Sequence, residues 1–194
     1  MSDAQGRLDA AGFEQLEATA AASGPAAMLD QLAATLATAR RWHAVFDLRL
    51  VQARLAAGLP LTTNAPPEDP ATQARLDERS LTACREVGQG LLDEGQVAAA
   101  WMYLRAAMPA EDVAQQLAAV AARALPTSDE PASPAPLNED SSRLVDELLG
   151  VVLWDAVDPA LGINLMLRTQ GTCAAITAFE QAVPWTWEGW PEYR

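Results

Sequence analysis

The most regular pattern of apolar positions in the chain lies between Cys84 and Pro109, in CREVGQGLLDEGQVAAAWMYLRAAMP. Cys84, Val87, Gly88 and Leu91 stand at i, i+3, i+4 and i+7, and Val97, Ala100, Trp101 and Leu104 repeat that spacing beyond Gly95. Each set places one apolar stripe on a helix, so the stretch predicts two amphipathic helices folded back on each other at Gly95. Gly88 and Ala100 are small where two helix backbones must approach, and Leu91, Trp101 and Leu104 fill the space around them.

The same reading runs along the rest of the chain. Residues 8–22 carry Leu8, Phe13, Leu16 and Ala20 at loosely helical spacing, and Ser23-Gly24-Pro25 then interrupts and restarts the helix. The next helix, to about Thr38, has Leu29, Leu32, Ala33 and Leu36 on one face. After Arg40-Arg41, the segment from Trp42 to Leu55 has apolar residues on two rows, Phe46/Leu50/Ala53 and Val45/Leu48/Leu55, which predicts a helix sandwiched between neighbours. Gly58 ends it, and Asp69-Pro70 caps a long helix to about Glu94. Pro109, followed by Glu111 and Asp112, starts a helix carrying Val113, Leu117 and Val120.

From Pro126 to Leu137 the sequence turns to Pro, Ser, Asp and Ala, a composition that builds no core and predicts an extended linker. Helical spacing resumes from Asn138 to Ala156, restarts at Asp158-Pro159, and restarts again after Gly171-Thr172 with Ala175, Ile176, Phe179 and Ala182. The end, PWTWEGWPEYR, sets three Trp between two Pro and does not describe a helix; a docking surface, a missing partner and a truncated chain all remain open for it. No segment sustains strand-like alternation, so the fold class is all-α. The expected organisation is a helical-hairpin domain at 1–125 with its best hairpin at 81–109, a linker at 126–137, a small helical segment at 138–183 and a Trp-rich tail at 184–194.

Composition narrows the chemistry. The 194 residues carry a net charge of −13, and every basic side chain apart from the one His is Arg. Scattered, outnumbered cations do not make a phosphate-binding surface, so nucleic acid is not an expected partner. Without a Lys there is neither a Walker-type phosphate loop nor a pyridoxal-phosphate Schiff base. No run is long and apolar enough for a membrane span, and the acidic start MSDAQGRLDA does not read as a secretory signal, so the expectation is cytoplasmic with no membrane partner.

The candidate reactive groups are few. His43 with Asp47 one turn later is either a base with an orienting carboxylate or an ordinary i, i+4 surface pair. Cys173, in the first turn of a helix with Arg168 behind it, is either an activated thiol or a small buried residue after a capping Thr; buried free thiols are the expectation for both Cys84 and Cys173. His43, Cys84 and Cys173 lack any close metal-ligand spacing, and Gly88-Gln89-Gly90 lies within a helical pattern with no strand before it. The expectation is no cofactor, no metal and no catalytic residue.

Aligned at Gly95, the opening stretch resembles one tetratricopeptide repeat. Val87 and Gly88 stand at its Leu-Gly pair, and Val97, Ala100, Leu104 and Ala107 at its second-helix positions. It departs from the repeat in three ways: Cys84 replaces the usual Trp, Pro109 comes three residues early, and no second copy of equal fidelity follows. More broadly, VFDLRLVQARLAAGLPL, ACREVGQGLL, AWMYLRA and LMLRTQGTCAAITAFEQ resemble a family of uncharacterised bacterial all-helical proteins; RTQGTCAAIT is the most specific part. That family's pattern continues with helical sequence beyond the position of Gln181, where this chain has its Trp-rich tail. The repeat resemblance implies a groove facing a protein or peptide partner, lined on the first arm by Thr82, Arg85, Gln89, Leu92 and Asp93. The expected function is therefore a non-enzymatic interaction module. The alternative is an enzyme or small-molecule binder with a site between two lobes that uses His43, Arg168 or Cys173.

Overall fold

A computed structural model describes residues 9–61, 65–125 and 137–186, with side chains described as far as Gln181. Among these residues there are helices and no strand, as the sequence predicts: α1 (Ala10–Thr38), α2 (Trp42–Ala56), α3 (Pro70–Asp93), α4 (Val97–Ala107), α5 (Ala110–Ala124), α6 (Glu139–Leu149) with a π-helical turn (Gly150–Trp154), α7 (Pro159–Thr169) and α8 (Thr172–Thr186). The chain forms two compact units, Met1–Gly90 and Leu91–Arg194, and their boundary falls inside α3.

In the first unit, the expected break in α1 is real. Gly24 takes φ 87° and ψ 171°, a left-handed extended backbone that suits glycine, and Pro25 then begins the second half. The consequence is a reversal of direction. Thr19 Oγ1 donates a 2.6 Å hydrogen bond to Gln31 Oε1, although twelve residues of unbroken helix would separate them by about 18 Å. The second half packs on α2 through Leu29, Ala33 and Leu48, surrounded by Met28, Leu32, Leu36, Val51 and Leu55. Asp69 caps α3 by accepting from the Ala71 and Thr72 amides at 3.2 and 3.0 Å, as its position before Pro70 suggests.

The second unit begins with the last turn of α3. Gly95, at φ 76°, closes the predicted turn, with the Gln96 amide donating to the Leu91 carbonyl at 2.9 Å. The α4 stripe is buried as its spacing predicts, at Val97, Ala100, Leu104 and Ala107. Gln96 supplies no side-chain cap to α4; Glu147 of α6 does so, accepting from the Ala98 amide at 3.1 Å. Helices α4, α5 and α7 all pack against α6, and α4 and α7 also against its π turn, with Leu117, Val145, Leu148, Val152 and Leu165 buried. Asn138 and Asp158 cap α6 and α7 through the Ser141 and Leu161 amides, at 2.7 and 3.0 Å.

Several expectations change. By its contacts the chain divides at Gly90, and α4 and α5 pack with α6 in the second unit. A shift in composition marks where the chain stops being helical; it does not say which helices share a core. Most of the expected linker, 126–136, and the tail from 187 onward lie outside the described residues, although α8 continues to Thr186, past the expected start of the tail. The helix after Asn138 ends in a π turn, with the Asp155 amide bonded to the Gly150 carbonyl five residues back.

The last correction concerns α8, which buries Ala175 and Ala178 and leaves Ile176 and Phe179 54% and 58% exposed. Its small face packs where α8 meets α7.

Candidate functional site

Among the described residues of the first unit, α1, α2 and α3 wall a groove of about 820 Å³. Helical periodicity builds each wall. Asp30 follows Ala26 by one turn on α1, Arg49, Gln52 and Ala56 share a face of α2, and Glu78, Thr82 and Glu86 share a face of α3. The fourth border is the reversal at Ser23, Gly24 and Pro25. Gly24, Ala26, Ala56 and Ala83 put no long side chain into the groove, and Asp30, Arg49, Gln52, Glu78, Arg79 and Glu86 supply its polar lining.

A polar chain crosses this surface. Arg49 makes a two-pronged pair with Glu86, Nε to Oε2 at 2.8 Å and Nη2 to Oε1 at 2.6 Å. Arg49 Nη1 also donates to Gln52 Oε1 at 2.9 Å, and Gln52 Nε2 donates to Asp30 Oδ1 at 2.8 Å. The hydrogen bonds to Glu86 hold the Arg49 guanidinium charged and push its pKa up against partial burial, with the charges of Glu86 and Asp30 adding to the effect. Arg49 is therefore committed to its neighbours and joins α2 to α3. Among the described residues Glu78 forms no side-chain hydrogen bond or ion pair, and neither does Arg79, while Asp30 engages only the Gln52 amide.

The sequence-predicted face is divided. Thr82 lines this groove, and Arg85 and Gln89 are exposed further along α3 but do not line it. Leu92 is a correction: it is 3% exposed, part of the second unit's core, because Leu91 and Leu92 are both covered there. With Asp93 it borders a separate depression of about 530 Å³ that also takes in Gln96, Arg123, Arg143 and Glu147. Residues 78, 83 and 86 of α3, together with Asp30 and Arg49, were not singled out by sequence. The one available signal was the Ser-Gly-Pro interruption, which borders the same groove.

Of the alternative site residues, His43 belongs to the first unit and Arg168 and Cys173 to the second. His43 and Asp47 are exposed on α2. Cys173 is exposed, contrary to the buried thiol expected, and lines a shallow depression of about 380 Å³ with Trp154, Met166, Gln170 and Thr177; Arg168 does not line it. Cys84 is buried, and burial pushes its thiol pKa up against a smaller opposing pull from Arg85. Among the described residues no cluster of three His, Cys, Asp or Glu side chains is placed to hold a metal ion, and no helix is long and apolar enough to cross a membrane.

No protein-family model matches the chain, and it matches no curated protein and no solved structure.

Proposed function

We propose that this protein is a non-enzymatic helical interaction module that holds a peptide segment of a partner protein in the α1–α2–α3 groove. The observation that carries this reading is the groove itself, about 820 Å³ of open space with small residues among its lining and braced by the Glu86–Arg49–Gln52–Asp30 chain. Bracing matters because a docking surface that is already ordered loses less entropy on binding. The lining suits contacts with a backbone and side chains: apolar at Leu55 and the alanines, polar at Thr82, Asp30 and Glu78.

The test is selection of peptides from a random displayed library on the wild-type protein, followed by binding to Thr82→Trp and Ala56→Trp. Both positions are exposed and line the groove, so an indole there fills it without disturbing the core. Peptides that bind wild type and are lost to both variants, with far-UV circular dichroism unchanged, support the reading. Selected peptides that bind all three proteins equally refute it.

A further inference from the structure

We infer that the α1–α2–α3 groove takes a basic peptide segment, with one large apolar side chain seated against Ala26, Ala56 and Ala83 and an adjacent Lys or Arg facing Asp30 and Glu78. The inference rests on the groove reading above and gives the partner its chemistry.

Three observations fix the sign of the charge. The groove is bordered by three carboxylates, Asp30, Glu78 and Glu86, against two guanidiniums, Arg49 and Arg79. Arg49 is largely committed: three of its five N–H groups are engaged by Glu86 and Gln52, and its charge is offset by Glu86. Arg79 lines the groove as well as a neighbouring depression with Arg75 and Leu76, so the carboxylates outnumber the guanidiniums by one. The acceptors left facing the open space are the Glu78 carboxylate and the Asp30 oxygen that Gln52 does not engage. An incoming acid would meet the carboxylates with Arg79 as the one unengaged guanidinium among the described residues beside them, whereas an incoming cation meets acceptors that need no rearrangement.

The long-range field has the same sign, since a chain of net charge −13 draws basic segments and repels acidic ones. The apolar requirement follows from volume: glycine and alanine lining leaves space, and a large side chain of the partner fills it.

The probe is a fluorescein-labelled peptide of about fourteen residues, roughly four helical turns, built of Leu and Lys, with a Leu and Glu peptide of the same pattern beside it. Binding is read by fluorescence anisotropy against wild type, Asp30→Lys/Glu78→Lys and a control pair of equal charge change outside the groove, Asp146→Lys/Glu180→Lys, both exposed in the second unit. The expected result is binding of the Leu/Lys peptide that weakens about tenfold in the groove pair and about twofold or less in the control pair. Equal weakening in both pairs would show diffuse attraction to an acidic protein and overturn the inference.

If the Leu/Glu peptide binds as tightly and is displaced by Thr82→Trp, the basic partner is wrong while the groove reading stands. If Thr82→Trp and Ala56→Trp leave the binding of every peptide unchanged, both fail.

Discussion

Replacing Gly162 with alanine sets two effects of known sign against each other. Gly162 lies inside α7, where alanine is favoured over glycine by about 1 kcal/mol through backbone entropy alone. Here it faces the π turn at contact distance. A Cβ at this position would lie 2.7 Å from Leu153 Cβ, 3.1 Å from Leu153 Cα and 3.2 Å from its amide nitrogen. The first distance is about 0.8 Å inside the lower edge of comfortable carbon–carbon separation. Two of the three obstructing atoms are backbone, so no rotamer change relieves the clash.

The π turn must move off α7, loosening Val152 and Leu153, which are 0% and 3% exposed. Overpacking of this kind costs roughly 3 kcal/mol at the upper end of its usual range, leaving a net loss of about 2 kcal/mol. For a chain of this length that lowers the thermal midpoint by about 4–8 °C. Gly150→Ala is the control, because Gly150 has helical backbone angles and nothing within 4 Å of an added Cβ. It should raise the midpoint by about 2–4 °C for its 1 kcal/mol. Far-UV circular dichroism melts of the two variants and wild type make the measurement. A Gly162→Ala midpoint equal to or above that of Gly150→Ala would refute the close approach on which the reasoning stands.

The two thiols should separate by access. Iodoacetamide at neutral pH should alkylate exposed Cys173 in the folded protein and buried Cys84 only after denaturant is added; mass spectrometry of the two cysteine peptides checks it, and simultaneous labelling would contradict the packing of α3. Asp69 gives an acid dependence. Its carboxylate is held below its usual pKa of 3.8 by the Thr72 hydroxyl and the Ala71 and Thr72 amides, so its contribution is complete above that value and is lost as pH falls through the lowered one. Urea midpoints across this acid range should therefore fall less steeply for Asp69→Ala than for wild type, and parallel curves would remove the cap from the account.

What could be read in advance was local. Asp69, Asn138 and Asp158 announce helix starts because their side chains reach amides two or three residues on, and Gly95 and Gly24 announce turns because the backbone there needs a left-handed conformation. Burial is decided elsewhere. Leu91 and Leu92 are adjacent on α3, and both are covered by the helices around the last turn, which their own spacing does not reveal. The choice of Ala175 and Ala178 over Ile176 and Phe179 as the buried face of α8 is made by α7. The π turn has no signature in GVVLW; it accompanies a close approach to Gly162, eight residues beyond Trp154. The groove is hardest of all to foresee, since it depends on three helices and on small residues whose effect is the space they leave.

Gly24 carries one more implication. The first half of α1 reaches its position through the backbone angles of a single residue, and Leu16 is the one side chain it buries. Were that residue to become helical, α1 would extend into one 29-residue rod, about 43 Å long. Its leading end would then lie beyond its own Gln31, within reach of the same position on a second molecule. Two chains can satisfy each other's Thr19–Gln31 bonds reciprocally in this way, with no new interface chemistry. At high protein concentration the border of the groove formed by Ser23, Gly24 and Pro25 would then become the crossover of an exchanged dimer.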